Sequence, residues 1–113
     1  MPHCIIEYST TLTVQISPAG LVAAVHQGAV DSSLFGLDDI KTRAMGYDYH
    51  HNGGSQRDFI HVTLKILSGR DSEQKAALSD TVLEALAELG LQNIALTVEV
   101  VDLDRSSYAK RLV

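Results

Sequence analysis

The run Asp58-Phe59-Ile60-His61-Val62-Thr63-Leu64-Lys65-Ile66-Leu67 alternates without a break. Ile60, Val62, Leu64 and Ile66 fall on one side, and Phe59, His61, Thr63 and Lys65 on the other, which is the period of a strand with one buried face. Ser68-Gly69-Arg70 interrupts the pattern, and Asp71 followed by Gln74 begins a helix close to a capping box. Leu78, Val82, Leu86 and Leu89 then recur at helical spacing, with Gly90 placed as a C′ residue. Ile94 to Val101 reads as one more strand. This half of the chain is therefore β-α-β, with its strands parallel because a helix carries the chain between them.

Working back toward the amino terminus, the same order appears again. His3 to Tyr8 alternates, with Cys4, Ile6 and Tyr8 on one face and His3, Ile5 and Glu7 on the other. Ser9 to Ile16 fits either an extension of that strand or a loop. Ser17-Pro18 starts a helix, with a hydroxyl at the N-cap and proline at the first position, where a missing N–H costs nothing. Leu21, Val22, Val25 and Ala29 share a helical face, and Gly28 with Asp31-Ser32-Ser33 marks the end. A strand follows from about Ile40 to Tyr49, its odd face carrying Lys41, Arg43, Met45, Tyr47 and Tyr49. Asn52-Gly53-Gly54-Ser55 is a turn joining the halves.

The expected fold is α+β: one domain over residues 1–113, β-α-β-β-α-β, with a four-stranded mixed sheet and both helices on one face. A chain of this length buries roughly 65% of its unfolded surface. It has no third helix for the other sheet face, so that face calls for other subunits. The tail beyond Asp102 is polar, with Arg105, Lys110 and Arg111, and is expected to wrap a neighbour or fray.

Composition narrows the partners. Nine Lys and Arg against fourteen Asp and Glu give −5, which argues against nucleic acid and against a polybasic membrane contact. Aromatic residues are 5% of the chain, with no Trp, so base-stacking platforms are not expected. The one cysteine, Cys4, has no partner for a disulfide and reads as a small core residue. There is no signal-peptide pattern and no long apolar run, which points to a cytoplasmic protein. His50, His51 and His61 lack a recognised metal-ligand spacing. His50 and His51 would face opposite ways on a strand, so solvated or satisfied histidines are expected and no metal. His3 and Glu7 read as a polar lining or subunit contact. No Walker A, Rossmann glycine or G-x-S-x-G pattern is present.

The chemistry rests on Pro2. Loss of the methionine before it leaves a rigid secondary amine at the start of a strand, and such an amine serves as a base if nearby cations and burial lower its pKa. Lys41 and Arg43, two apart, project from one strand face. Arg70 lies at the mouth of a helix, where the dipole favours anions. Convergence of the three on one amine would both tune it and hold carboxylates.

The opening Met-Pro-His-Cys-Ile-Ile-Glu-Tyr, the Ile40-Lys41-Thr42-Arg43 strand and the stretch Phe59 to Arg70 together resemble the 5-carboxymethyl-2-hydroxymuconate isomerase family of the tautomerase superfamily. The resemblance spans almost the whole chain, and the His-x-Thr-Leu-Lys-Ile-x-x-Gly-Arg segment is its more specific part. It implies a homotrimer, no cofactor, and an isomerase in aromatic catabolism that moves a proton and a double bond in an unsaturated 2-hydroxy or 2-oxo dicarboxylic acid. By this resemblance Pro2 is the base, Arg43 and Arg70 are catalytic, and Lys41, Arg43 and Arg70 bind substrate. Better-known members carry arginine where this chain has Lys41, and lysine lacks the planar fork that clamps a carboxylate. The alternative is a non-catalytic trimeric protein that binds small organic acids through the same cations.

Overall fold

The computed structural model describes residues 1–113. Its elements are β1 (His3–Ser9), a 3-10 turn at Thr10–Val14, α1 (Pro18–Asp31), β2 (Lys41–Tyr47), β3 (Asp58–Leu67), α2 (Ser72–Ala87) and β4 (Ile94–Leu103), with a second 3-10 turn at Leu37–Asp39. The strands form one sheet in the order β2-β1-β3-β4. β1 runs parallel to β2, with His3 opposite Lys41, and antiparallel to β3, with His3 opposite Lys65. β3 and β4 are parallel. The fold is thus α+β with a four-stranded mixed sheet.

The two helix starts follow their local chemistry. Ser17 Oγ accepts the Gly20 N–H at 3.0 Å, with Pro18 at the first helical position. Asp71 and Gln74 form a complete capping box, each side chain accepting the other's backbone N–H at 2.8 and 3.1 Å. Two otherwise orphaned donors are satisfied at that terminus.

Both helices pack on the even-numbered face of the sheet. Cys4, Ile6, Ile60, Val62, Leu64 and Ile66 meet Leu21, Val25 and Ala29 of α1 and Leu78, Val82 and Leu86 of α2, all of them buried. Burial pushes the Cys4 thiol pKa up, so its thiolate, the reactive form, is disfavoured. The odd-numbered face bears His3, Ile5, Lys41, Arg43, Met45, Phe59, His61 and Thr63 and has no layer of this chain over it; Met45 is 63% exposed.

Several expectations are corrected. Ser9–Ile16 is neither a continued strand nor an irregular loop but contains the 3-10 turn. It forms because Ser9 is drawn into the core, where its Oγ donates to Asp58 Oδ1 at 2.8 Å and accepts the Phe59 N–H at 3.0 Å. Gly28 does not end α1. It lies inside the helix where α2 comes close: a Cβ there would sit 3.2 Å from Ala85 Cβ and 3.3 Å from Val82 Cα. β2 stops at Tyr47, since Asp48 turns away to accept the Thr10 hydroxyl at 2.7 Å. His50 and His51 consequently lie in the β2–β3 connection and not on a strand. The α2 helix ends at Ala87, with Gly90 taking φ +70° two residues past the Glu88 cap. β4 extends to Leu103. The tail folds back on its own chain, where Tyr108 meets His3 and Lys110 meets Asp39.

Candidate active site

The middle of the sheet brings the amino terminus to a defined place. Pro2 is fully buried, and its carbonyl oxygen accepts the Lys41 backbone N–H at 3.0 Å, continuing the β1–β2 ladder by one step. Met1 follows the same line, and its ammonium donates to the Asp39 carbonyl oxygen at 2.9 Å. Lys41 Nζ donates to that same oxygen at 3.0 Å. Burial, followed by the charge of Lys41, lowers the pKa of the terminal amine, with Asp39 opposing. Removing hydration and adding a neighbouring cation both disfavour the protonated form.

Met1 lines a cavity of about 420 Å³ at this end of the sheet. Leu34, Phe35 and Gly36 border it from the α1–β2 connection, Leu67 and Arg70 from the end of β3 and the loop after it, and Tyr108 and Lys110 from the tail. Gly69 makes the turn that delivers Arg70, at φ +131°, a backbone conformation that L side chains rarely adopt. Arg70 is then held in two ways. Its Nη2 donates to the Leu34 carbonyl oxygen at 2.7 Å, and its guanidinium lies over the Phe35 ring, 5.3 Å from the centroid.

Asp39 is the anion of the site. Lys110 Nζ lies 3.0 Å from its Oδ1, and that hydrogen bond, with the Lys110 charge and the nearby terminal ammonium, holds the Asp39 carboxyl below its ordinary pKa. With Asp39 paired to Lys110, Arg70 gives the cavity a positive character suited to a carboxylate.

Of the residues singled out from sequence, Arg70 lines this cavity. Pro2 does not, being buried one residue behind Met1, which does, and Lys41 reaches the Met1 amine through the Asp39 carbonyl oxygen they share. Arg43 does not line it. It borders a separate cavity of about 170 Å³ with Ile5, Glu7, Met45 and Tyr47, and its Nη1 lies 3.1 Å from His3 Nδ1. Tyr47 in turn donates to Glu7 Oε2 at 2.5 Å. Asp39, Phe35, Tyr108 and Lys110 were not singled out by sequence reasoning. Tyr108 carried a signal as the one aromatic residue in a polar tail, and Lys110 was noted only as one of that tail's cations.

No group of three or more His, Cys, Asp or Glu side chains is arranged to hold a metal. His61 instead hydrogen-bonds Thr97 Oγ1 at 2.7 Å and the Glu99 carboxylate across β3 and β4. No helix is long and apolar enough to cross a membrane.

Solved structures share this architecture. A 5-carboxymethyl-2-hydroxymuconate delta-isomerase superposes with a TM-score of 0.81 at 18% identity, over 100% of this chain and 89% of that one. A 5-carboxymethyl-2-hydroxymuconate isomerase from Deinococcus radiodurans R1 gives 0.80 at 22% identity, over 99% and 90%. A fused 4-OT wild-type symmetric trimer gives 0.68 at 20% identity, over 96% and 89%. These likenesses establish the tautomerase-superfamily fold. No curated protein sequence gives a significant match. A sequence model of one family, described as 5-carboxymethyl-2-hydroxymuconate isomerase, matches residues 2–111, nearly the whole chain. The chain therefore belongs to the 5-carboxymethyl-2-hydroxymuconate isomerase family, a family of isomerases.

Proposed function

We propose that this protein is a cofactor-independent tautomerase whose general base is the amine of Pro2, freed by loss of Met1. The observation that carries the reading is the position of Met1. It lines the cavity beside Arg70 while Pro2 is fixed in the ladder behind it, so trimming one residue opens the proline nitrogen to the cavity. The substrate is an unsaturated 2-hydroxy or 2-oxo dicarboxylic acid of the 5-carboxymethyl-2-hydroxymuconate type, an intermediate of aromatic catabolism. Neutral Pro2 takes a proton from carbon or from the enol oxygen, leaving a dienolate. It returns that proton at a conjugated position, and the double bond moves. A positioned base of this kind contributes ~10²–10⁴-fold.

The cations divide the remaining work. Arg70 binds a substrate carboxylate from its place against Leu34 and Phe35. Lys41 favours the neutral amine, for which a point charge suffices, so the missing guanidinium fork does not matter to that role. Arg43 lies off the cavity and contributes from the sheet face. We also read residues 1–113 as one domain that assembles as a homotrimer in the cytoplasm, with the open sheet face covered by its copies. Met45 and Tyr47, exposed on that face, and the solved symmetric trimer of the same fold support the assembly.

The test uses untagged protein, since an added residue would block the amine. Intact mass should lack Met1, and 2-hydroxymuconate should be isomerised or ketonised. Pro2→Ala should lower turnover by orders of magnitude. Retained Met1 in protein that binds the diacid without turning it over would favour the organic-acid binding alternative. Full activity in Pro2→Ala would assign the base to another group.

A further inference from the structure

Tyr108 comes to the cavity from the far end of the chain, and contacts on both sides of it hold the tail in place. Arg105 Nε donates to the Ser68 carbonyl oxygen at 2.5 Å, next to the Gly69-Arg70 turn. Lys110 pairs with Asp39 at 3.0 Å. Between them the Tyr108 ring meets the His3 ring edge-on, centroids 5.9 Å apart, with Oη 3.1 Å from His3 Nε2. The residue that grips the phenol is therefore the immediate neighbour of Pro2.

The direction of the hydrogen bonds follows from Arg43. A guanidinium has donors only, so its contact with His3 Nδ1 at 3.1 Å makes that nitrogen an acceptor. The proton of the neutral imidazole is then on Nε2, and Nε2 donates to Tyr108 Oη. Burial, and then the charges of Arg43, Lys41, the amino terminus and Lys65, keep the His3 pKa below its ordinary value and so favour the neutral ring. With Oη accepting from His3, the phenol's own proton is left to donate. Tyr108 lines the cavity, so a substrate oxygen bound there is a candidate acceptor for that proton.

We propose that Tyr108 is a catalytic residue that donates a hydrogen bond to the enolate oxygen of the substrate, and that His3 and Arg43 are positioning residues that turn its hydroxyl toward it. This rests on Pro2 being the base. No proton leaves Tyr108: the proton Pro2 takes is the one it returns, the C=C bond migrates, and the phenol only stabilises the charge that develops between the two transfers. Arg43 thereby acts on the reaction from outside the cavity, through two side chains.

Steady-state kinetics on Met1-free protein with 2-hydroxymuconate test it. Tyr108→Phe should lower kcat by about 10²-fold, the usual effect of losing one oxyanion donor, with a much smaller change in KM. His3→Ala should lower kcat in the same direction, while His3→Gln, which keeps a side-chain N–H for Tyr108, should recover most of the rate. The double variant Tyr108→Phe/His3→Ala should be no slower than Tyr108→Phe, because His3 acts through Tyr108. Wild-type kcat in Tyr108→Phe overturns the proposal, and additive losses in the double variant overturn the positioning role. If Tyr108→Phe melts at lower temperature, the separation of His3→Ala from His3→Gln decides, and equal rates in those two overturn it. Wild-type rates in Pro2→Ala instead overturn the proline reading. Wild-type protein that neither binds nor turns over the diacid overturns both.

Discussion

Lys41 Nζ and the Met1 ammonium share a single acceptor, the Asp39 carbonyl oxygen, at 3.0 and 2.9 Å. Two cations on one oxygen repel, and the group with the lower ordinary pKa is the one that responds by losing its proton. The sheet register places Lys41 for this contact, opposite His3 on the neighbouring parallel strand.

Replacing Lys41 by Met, which keeps the stem and removes the charge, should therefore raise the pKa of the Met1 amine and, in protein that has lost Met1, that of the Pro2 amine left at the same end of the sheet. A base works when neutral, which is above its pKa, so the acid limb of the pH–rate profile should move to higher pH as well. An NMR titration of the amino terminus measures the first effect directly. An unmoved titration would assign the lowered value to burial, the largest of the causes, and not to Lys41.

Arg70 is half-buried, stacked on Phe35 and bonded to Leu34. Arg70→Ala should weaken binding of 2-hydroxymuconate by about 2 kcal/mol, the lower end expected for a partly desolvated charge pair. Arg70→Lys should also lose affinity, since an ammonium cannot serve the Leu34 carbonyl, the Phe35 face and a carboxylate with one planar group. Calorimetric titration checks both, and unchanged affinity in Arg70→Ala would place the carboxylate elsewhere.

Gly46 in β2 faces a tight contact: an added Cβ would lie 2.8 Å from Thr10 Cγ2 and 3.1 Å from the Tyr8 ring. Gly46→Ala should cost about 1–3 kcal/mol as these side chains are forced apart, seen as a fall in Tm. Thr10→Ser in the same background removes the closest atom and should restore part of the loss. Equal Tm values for Gly46→Ala and wild type would show that the 3-10 turn yields freely.

The Asp39–Lys110 pair makes stability depend on pH. The Lys110 hydrogen bond, its charge and the terminal ammonium depress the folded-state pKa of Asp39. Such a carboxyl stabilises the fold above its unfolded value of about 3.9, and the contribution disappears as pH falls through the lower folded value. Asp39→Asn should consequently melt below wild type at neutral pH, with the gap closing in acid. Thermal melts over a pH series check this; a gap independent of pH would trace the effect to something other than the carboxylate charge.

The β3 alternation, the Ser17-Pro18 start and the Asp71–Gln74 box were legible because each depends on residues near one another in the chain. Their structural outcomes match to within a residue or two. Gly28 and Ser9 misled for the opposite reason. A glycine that ends helices is also one that lets two helices approach, and only the position of α2 distinguishes the uses. A serine after a strand fits an extension or a loop until Asp58 and Phe59, about fifty positions on, supply its partners.

The same division runs through the site. Periodicity and caps sufficed for a β-α-β-β-α-β chain, and residue type sufficed to nominate Pro2 and the three cations, because strand and helix signals and charge are properties of short segments. Which cations surround the amine is a property of register and of the returning tail. Parallel pairing put Lys41 beside the amino terminus, side-chain direction turned Arg43 toward His3, and Tyr108 and Lys110 closed the cavity across separations of 105 and 71 residues. No local pattern encodes such contacts, since they exist only once the sheet and its core have brought the two ends of the chain together.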